Sequence, residues 1–271
     1  MTSRSGGAPV LFFDSGVGGL PYLAAARDFL PGRAFDYLAD RGGFPYGTKT
    51  REEVRDRVLE VVAKAVERLG PAALVIACNT ASQASLEAVR AAHPGLLVVG
   101  TVPAVKPAAA RTRSGVVGIM ATARAVEDPY LDELVARHAS GVEVVREAAQ
   151  DLVAFVESRL PASTAEERLE AVAPHVGRLV AAGADEIVLA CTHFLHVAAD
   201  IAKAAGDGVE VVDSREGVAR RLAQQLAERE GPAAGDGPAP RGTLFLTGPA
   251  PFEAQYAAFA AGFGLAGPES L

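Results

Sequence analysis

The chain contains two cysteines, Cys78 and Cys191, and each directly follows a short apolar run, ALVIA in one case and IVLA in the other. Asn-Thr follows the first cysteine and Thr-His follows the second. A cysteine that merely fills a hydrophobic core needs no such polar neighbours, whereas these side chains can donate hydrogen bonds to a carboxylate. A thiol at the start of a helix also meets the positive end of the helix dipole, which favours the thiolate. The pattern therefore predicts two thiols that exchange protons with a substrate.

Other interpretations of the two cysteines stay open at this point. Either one could be a small buried hydrophobe. A zinc ion would need three or four ligands, for which Cys78, Cys191, His193 and His196 are candidates, although their spacing matches no structural zinc pattern. Two cysteines build no disulfide framework, so the chain is expected in a reducing compartment, the cytoplasm.

Asp14 and Ser15 open a glycine-rich segment, FFDSGVGGL, directly after an apolar run. A dinucleotide-binding fingerprint would need a third glycine at position 21, which is Pro21. Asp14 could pair with the amine of a ligand, or one of the two residues could simply cap the next helix. A second irregular segment, FPYGTKT at 44–50, follows Asp40 and is predicted to be a loop.

Short apolar runs alternate with longer stretches of helical periodicity, which indicates parallel sheets covered by helices on both faces. Residues 51–69, for example, repeat apolar positions every three or four residues and are predicted to form a helix. The predicted strands span 9–13, 34–39, 73–78, 96–101, 115–120, 142–146, 186–191, 209–213 and 243–248.

A faint internal repeat suggests two pseudo-symmetric α/β domains. LVIACNTA at 74–81 is similar to IVLACTHF at 187–194, and VLFFDSG at 10–16 is similar to VEVVDSR at 209–215. We expect residues 1–103 and 213–271 to form the domain of Cys78 and residues 104–212 that of Cys191. The Pro- and Gly-rich segment 229–242 is expected to be a surface loop.

The charge and the apolar runs of the chain argue against nucleic acid and membranes as partners. The formal net charge of −7 disfavours binding to nucleic acid, because the chain repels phosphate backbones on average. The apolar stretch after residues 1–9 is too short for a signal peptide, and no apolar run is long enough to span a membrane. The remaining histidines, His93, His138 and His175, lie in or beside polar helical stretches and are expected to face solvent.

Taken together, four segments in this order resemble the glutamate racemases, cofactor-independent enzymes that supply D-glutamate for the bacterial cell wall. Any one of the segments is a weak signal, but four in order along nearly the whole chain are specific. The matching segments are Asp14-Ser15-Gly16-Val17-Gly18-Gly19, Pro45-Tyr46-Gly47-Thr48-Lys49, Ala77-Cys78-Asn79-Thr80-Ala81-Ser82 and Ala190-Cys191-Thr192-His193.

The resemblance implies two pseudo-symmetric parallel-sheet α/β domains with the active site at their interface, no cofactor, no metal, and often a homodimer. It implies that Cys78 removes the α-proton of D-glutamate and Cys191 that of L-glutamate. Asp14 would assist Cys78, while Glu157 and His193 would assist Cys191. The residues implied to bind the substrate are Asp14, Ser15, Tyr46, Gly47, Asn79, Thr80, Thr192 and His193.

The sequence departs from the common pattern of this family in a few places. Arg41 follows Asp40 where many members carry a small polar residue, and Phe194-Leu195 replaces a frequent Tyr-Pro. The alternatives are a racemase for aspartate or another acidic amino acid, a thiol-dependent lyase or decarboxylase that needs one cysteine, and a metal- or ligand-binding α/β protein.

Overall fold

A computed structural model describes residues 7–231 and 240–271. These residues form two compact units, Met1–Thr101 with Arg215–Leu271, and Val102–Ser214. Each unit is a parallel sheet with helices, so the predicted α/β class is confirmed. Residues 1–6 of the polar N-terminal segment and most of the predicted surface loop at 229–242 lie outside the described residues.

The first unit, which carries Cys78, has a six-stranded sheet in the order β10-β9-β2-β1-β3-β4. All neighbouring strands run parallel. Its strands are β1 (Val10–Asp14), β2 (Phe35–Ala39), β3 (Ala73–Ile76), β4 (Leu97–Gly100), β9 (Thr243–Leu246) and β10 (Ala266–Ser270). Its helices are α1 (Leu20–Phe29), α2 (Arg51–Leu69), α3 (Asn79–Ala92), α10 (Arg215–Glu230) and α11 (Ala254–Gly262).

The second unit, which carries Cys191, has a four-stranded parallel sheet in the order β6-β5-β7-β8. Its strands are β5 (Val116–Ala121), β6 (Glu143–Ala148), β7 (Glu186–Leu189) and β8 (Glu210–Val212). Its helices are α4 (Val105–Arg111), α5 (Ala123–Glu127), α6 (Pro129–His138), α7 (Gln150–Arg159), α8 (Ala165–Ala181) and α9 (Ala198–Ala205).

All nine predicted strands are confirmed, with ends that differ from the prediction by one or two residues. The helix predicted at 51–69 is α2 with the same limits. The tenth strand, β10, was missed because it is an edge strand with the sequence AGPES and no apolar run. Edge strands can be polar and can contain proline, since only one side of the strand joins the sheet.

The strands of the two sheets are connected in the same order. This order agrees with one of the two predicted segment pairs and contradicts the other. In chain order, the four strands β1–β4 and the four strands β5–β8 are both arranged 2-1-3-4. The two cysteines follow the third strand in both units, as the similarity of 74–81 to 187–194 predicts. The pairing of 10–16 with 209–215 is wrong, because β1 is the first strand of its unit and β8 is the fourth. Asp14 ends a central, fully buried strand, whereas Asp213 follows a short, partly exposed edge strand.

The start of α2 shows how local sequence determines the helix limits. Thr50 precedes the helix, and its hydroxyl accepts a hydrogen bond from the backbone N–H of Glu53, while the Glu53 carboxylate accepts one from the backbone N–H of Thr50. This reciprocal capping box satisfies two donors that the first helical turn leaves unpaired. Gly70 ends the helix in a left-handed conformation.

We expect Thr50→Ala to lower the free energy of unfolding by about 1 kcal/mol, because it removes the cap of α2. Urea unfolding followed by circular dichroism measures this loss. Thr48→Ala is the matched control, since Thr48 lies before the cap and its hydroxyl is 3.4 Å from the Pro45 carbonyl. Equal destabilisation by both variants would contradict the role of the cap.

Candidate active site

Buried polar or thiol side chains collect along the carboxyl edge of the six-stranded sheet. Parallel strands end at the same edge, and in open α/β sheets ligands bind there. Five neighbouring strands of this sheet are each followed or ended by such a residue. These residues are Thr247 after β9, Asp40 after β2, Asp14 at the end of β1, Cys78 after β3 and Thr101 after β4.

Cys78 stands immediately before α3, a helix of 14 residues. Its thiol is buried and lies 4.0 Å from the hydroxyl oxygen of Ser15. The Ser15 hydroxyl in turn donates to the carboxylate of Asp14 at 3.2 Å, and the backbone N–H of Ser15 donates to the same oxygen at 2.6 Å. Thiol, hydroxyl and carboxylate therefore form a chain at the positive end of a long helix.

The glycine-rich turn after β1 is held by Tyr37, a residue that the sequence analysis missed. The phenol of Tyr37 donates to the carbonyl of Gly16 at 2.8 Å and accepts from the N–H of Gly19 at 2.9 Å. A Cβ on Gly19 would stand 2.6 Å from the Cβ of Ala77. A larger residue at position 19 would therefore force the glycine-rich turn away from Ala77, the residue that precedes Cys78. The only signal in the sequence was a hydroxyl-bearing aromatic residue in an apolar strand.

Helix α1 begins at Leu20 and its N-cap residue is Gly19, so neither Asp14 nor Ser15 caps it. The alternative that these two residues only cap a helix is therefore wrong. Their polar groups bond to each other instead, beside the thiol of Cys78.

Asn79 and Thr80 form the first turn of α3, and both are buried. Within the described part of the chain, the side-chain oxygen of Asn79 is buried without a hydrogen-bond partner. A buried acceptor left unpaired costs about 1–3 kcal/mol. The N–H groups of a first helical turn also have no partner within the helix. This turn thus offers one acceptor and several donors to a small polar ligand.

Tyr46 begins a short 3-10 turn, Tyr46–Thr48, in the predicted loop. Its ring is buried against Phe13, with a centroid distance of 6.5 Å, and belongs to the same core cluster as Cys78. Its phenol donates to the carboxylate of Asp40 at 2.6 Å. Burial, and then the negative charge of Asp40, raise the pKa of Tyr46 above its ordinary value, so the phenol stays protonated and acts as a donor.

In the second unit, Cys191 lies before a 3-10 turn, Thr192–Val197, rather than a long α-helix. Its buried thiol is 3.9 Å from Nδ1 of His193. Nε2 of the same ring is 2.9 Å from the carboxylate of Glu157, which is buried on α7. The structure thus brings together all three residues that the resemblance implied on this side, with Thr192 buried next to them.

The hydrogen-bonding partners of His193 favour the positively charged form of its ring. Burial alone lowers the pKa of His193, but its hydrogen bonds to Cys191 and Glu157 and the negative charges of these partners raise it well above 6.5. An imidazolium can donate from both ring nitrogens, which fits a ring held between a sulfur and a carboxylate.

The prediction that His175 faces solvent is wrong. His175 is buried on α8, with Nδ1 2.7 Å from the carboxylate of Glu147 and Nε2 3.0 Å from that of Asp151. Arg178 binds the same Glu147 carboxylate through two guanidinium nitrogens. The burial of His175 could not be predicted from its polar helical stretch, because its partners lie on β6 and α7, which are distant in sequence.

The departure at Arg41 has a structural explanation. Its guanidinium pairs with both carboxylate oxygens of Glu253 at 2.8 Å and lies 5.7 Å from the ring centroid of Phe252. Arg41 therefore ties the loop after β2 to the segment before α11. The second departure, Phe194 and Leu195, is buried in the 3-10 turn that follows Cys191.

The arrangement of the acidic, histidine and cysteine side chains bears on the metal-binding alternative. Over residues 7–231 and 240–271, no group of three or more His, Cys, Asp or Glu side chains is arranged to hold a metal ion. In the same part of the chain, no helix combines the length and apolar character needed to cross a membrane.

Each of the two parallel α/β units carries a buried cysteine, with its own hydrogen-bonding partners, at the carboxyl end of its third strand. Residues 22–222 match the model of the Asp/Glu/Hydantoin racemase family, and the chain belongs to this family.

Relatives of known name agree with this membership. The chain is 44% identical to the glutamate racemase of Sphingopyxis alaskensis over 228 residues, which cover 83% of this chain and 85% of the relative. It is 40% identical to the glutamate racemase of Roseiflexus sp. over 221 residues, 82% of this chain and 80% of the relative. The crystal structure of Escherichia coli glutamate racemase with L-glutamate and the activator UDP-MurNAc-Ala is similar with a TM-score of 0.85, 33% identity and 98% coverage of both chains. The resemblance to the glutamate racemases is confirmed.

We expect Glu157→Gln to lower the pKa of His193, because the amide oxygen still accepts a hydrogen bond but no longer carries a charge. A titration of the imidazole Cε1–H by NMR measures this pKa. A raised pKa stabilises the fold fully below the unfolded value of about 6.5, and the stabilisation disappears as the pH rises through the folded value. Glu157→Gln should therefore lower the free energy of unfolding most below about pH 6.5, and the difference from the wild type should shrink as the pH rises through the folded pKa of His193.

Ser158→Ala is the matched control, since Ser158 is the next residue on α7 and its exposed hydroxyl bonds only within the helix, to the Ala154 carbonyl. An unchanged His193 titration in Glu157→Gln would show that this carboxylate does not set the charge of the ring.

Proposed function

We propose that this protein interconverts L- and D-glutamate by proton transfer at Cα, with Cys78 and Cys191 as the two acid/base groups. The observation that carries the proposal is that both buried thiols follow the third strand of a parallel sheet and contact their own polar partners. The names of the relatives support glutamate as the substrate.

Inversion of a stereocentre through a planar carbanion needs a base on one face of Cα and an acid on the other. One thiolate removes the α-proton and the opposite thiol delivers a proton, after which the roles of the two sulfurs are exchanged. On this proposal Cys78 deprotonates D-glutamate and Cys191 deprotonates L-glutamate. Each turnover thus leaves the enzyme ready for the reverse reaction.

The partners of each thiol have different proposed roles. Near Cys78, the carboxylate of Asp14 can hold the substrate ammonium group and, through Ser15, orient the thiol. Near Cys191, the charged ring of His193 stabilises the thiolate, and Glu157 keeps that ring charged and oriented. This division suits a substrate that carries charges of both signs.

The negative charge that develops on the substrate during deprotonation must be stabilised by donors already in place. The first turn of α3, with Asn79 and Thr80, and the Thr192 hydroxyl are the proposed donors to the α-carboxylate. Tyr46 and Gly47 in the 3-10 turn are proposed to complete the binding site. The proposed mechanism uses no electron-sink cofactor, so these donors must stabilise the negative charge that develops on the substrate.

The biological role follows from the reaction. We propose that the product D-glutamate is supplied to peptidoglycan synthesis, and that the enzyme acts in the cytoplasm as a homodimer. Aspartate is the closest competing substrate, since it differs from glutamate by one methylene group.

The direct test incubates the enzyme with L-glutamate in D2O, without added metal ion or pyridoxal phosphate, and follows both enantiomers and the α-proton by NMR. We expect racemisation with solvent deuterium in the product. A parallel incubation with L-aspartate measures the preference for chain length. Faster turnover of aspartate, loss of activity with a chelator, or no turnover of either amino acid would each reject the proposed function.

We expect Cys78→Ser and Cys191→Ser each to lower the rate of racemisation about 10²–10⁴-fold, because each removes one of the two acid/base groups. Circular dichroism shows whether the variants remain folded. Ser85→Ala is the matched control on α3, since the hydroxyl of Ser85 is buried and bonds to the Ala81 carbonyl of its own helix. Full turnover by either cysteine variant would remove that residue from the mechanism.

A further inference from the structure

The 3-10 turn Tyr46–Thr48 has little hydrogen bonding of its own. Its backbone closes through one bond, from the N–H of Lys49 to the carbonyl of Tyr46 at 3.1 Å. The position of the turn therefore depends on the side chain of Tyr46, whose ring packs against Phe13 and whose phenol donates to Asp40. The residues that fix the Asp40 carboxylate therefore also fix the position of the 3-10 turn.

The carboxylate of Asp40 is fully buried and accepts hydrogen bonds from three elements of the first unit. Arg57 on α2 donates through Nε at 2.8 Å and through Nη2 at 2.6 Å, one bond to each carboxylate oxygen. Thr247, after β9, donates to Oδ1, and its oxygen accepts from the N–H of Gly42 at 2.9 Å. Tyr46 donates to Oδ2 at 2.6 Å.

Arg57 supplies the positive charge that makes this burial tolerable. A buried carboxylate without a paired charge is strongly destabilising, whereas a two-point Arg–carboxylate pair fixes both position and orientation. Burial alone raises the pKa of Asp40, but the hydrogen bonds from Arg57, Thr247 and Tyr46 and the charge of Arg57 outweigh it, so the pKa is lowered. The carboxylate is thus held ionised as an acceptor for the Tyr46 phenol.

The loop after β2 packs closely against this carboxylate. A Cβ on Gly43 would come within 2.1 Å of Asp40 Oδ2, so the loop after β2 closes directly over the acceptor of the Tyr46 bond. Movement of the carboxylate would therefore carry Tyr46 and the turn with it.

We propose that Arg57 is a positioning residue for glutamate binding, which acts through the buried Asp40 carboxylate on Tyr46 and on the 3-10 turn Tyr46–Thr48. The inference rests on the proposed function, in which Tyr46 and Gly47 bind the substrate. Arg57 bonds to Asp40 and not to either cysteine among the hydrogen bonds of the described residues. Its removal weakens binding because the turn loses its anchor, while the two proton-transferring cysteines remain in place.

The test is steady-state racemisation of L-glutamate by Arg57→Gln, with Arg55→Gln as the matched control. Arg55 lies on the same helix, is exposed, and pairs with the adjacent Asp56. We expect Arg57→Gln to raise KM about tenfold with kcat within about threefold of the wild type, because binding rather than chemistry is lost. Arg57→Lys keeps the charge but not the two-point geometry, so we expect it to raise KM by a smaller factor. Arg55→Gln should match the wild type.

A purely structural role for Arg57 predicts a different result. A less stable enzyme has a smaller active fraction, which lowers the apparent kcat and the melting temperature and leaves KM unchanged. A normal KM in Arg57→Gln therefore overturns the inference. If Arg57→Gln does not fold, Arg57→Lys decides by the same criterion.

The double variant Tyr46→Phe/Arg57→Gln tests the route of the effect. If Arg57 acts through the bond between Tyr46 and Asp40, its removal adds little once the Tyr46 hydroxyl is gone, and the KM effects of the two changes are not additive. Additive effects would overturn the proposed route. A wild-type enzyme that does not racemise glutamate rejects the proposed function instead, which keeps the two failures distinct.

Discussion

A buried thiolate is unfavourable unless donors or positive charge face it, and this constraint shapes the surroundings of both cysteines. The two units meet it in different ways. Cys78 lies at the start of a helix of 14 residues, with a hydroxyl at 4.0 Å. Cys191 precedes a six-residue 3-10 turn, whose dipole is short, and has a charged histidine beside it. The two buried thiols therefore have different polar surroundings, although the same connection pattern of strands places both.

The second constraint is the geometry of parallel sheets. Because all strands of a parallel sheet end at one edge, residues from distant parts of the chain meet there without any long loop. Thr247 and Asp40 are separated by most of the chain, yet they contact each other since β9 and β2 are neighbours. The same rule brings Asp14 beside Cys78. The glycine-rich turn and the 3-10 turn then need only local anchors, Tyr37 and Asp40, to complete the arrangement.

The sequence was sufficient to predict the features that depend on local pattern. Continuous apolar runs predict buried parallel strands, and helical periodicity predicts α2, because both follow from burial of one chain segment. Tyr37, Arg57 and His175 were missed for the opposite reason. Each acts through a hydrogen bond to a residue on another element, and a lone polar residue in a strand or helix does not reveal its partner. The incorrect pairing of 10–16 with 209–215 has a related cause, since similar short strands can occupy a central and an edge position.

In two of the polar clusters, a buried carboxylate bonds to a side chain that we propose binds the substrate. Glu157 bonds to His193, and Asp40, which is paired with Arg57, bonds to Tyr46. A charge held one residue behind the substrate keeps its buried partner oriented throughout, because the contact between them is complete without the substrate. Orientation is then fixed before binding, and the thiols remain free to change protonation state in each turnover.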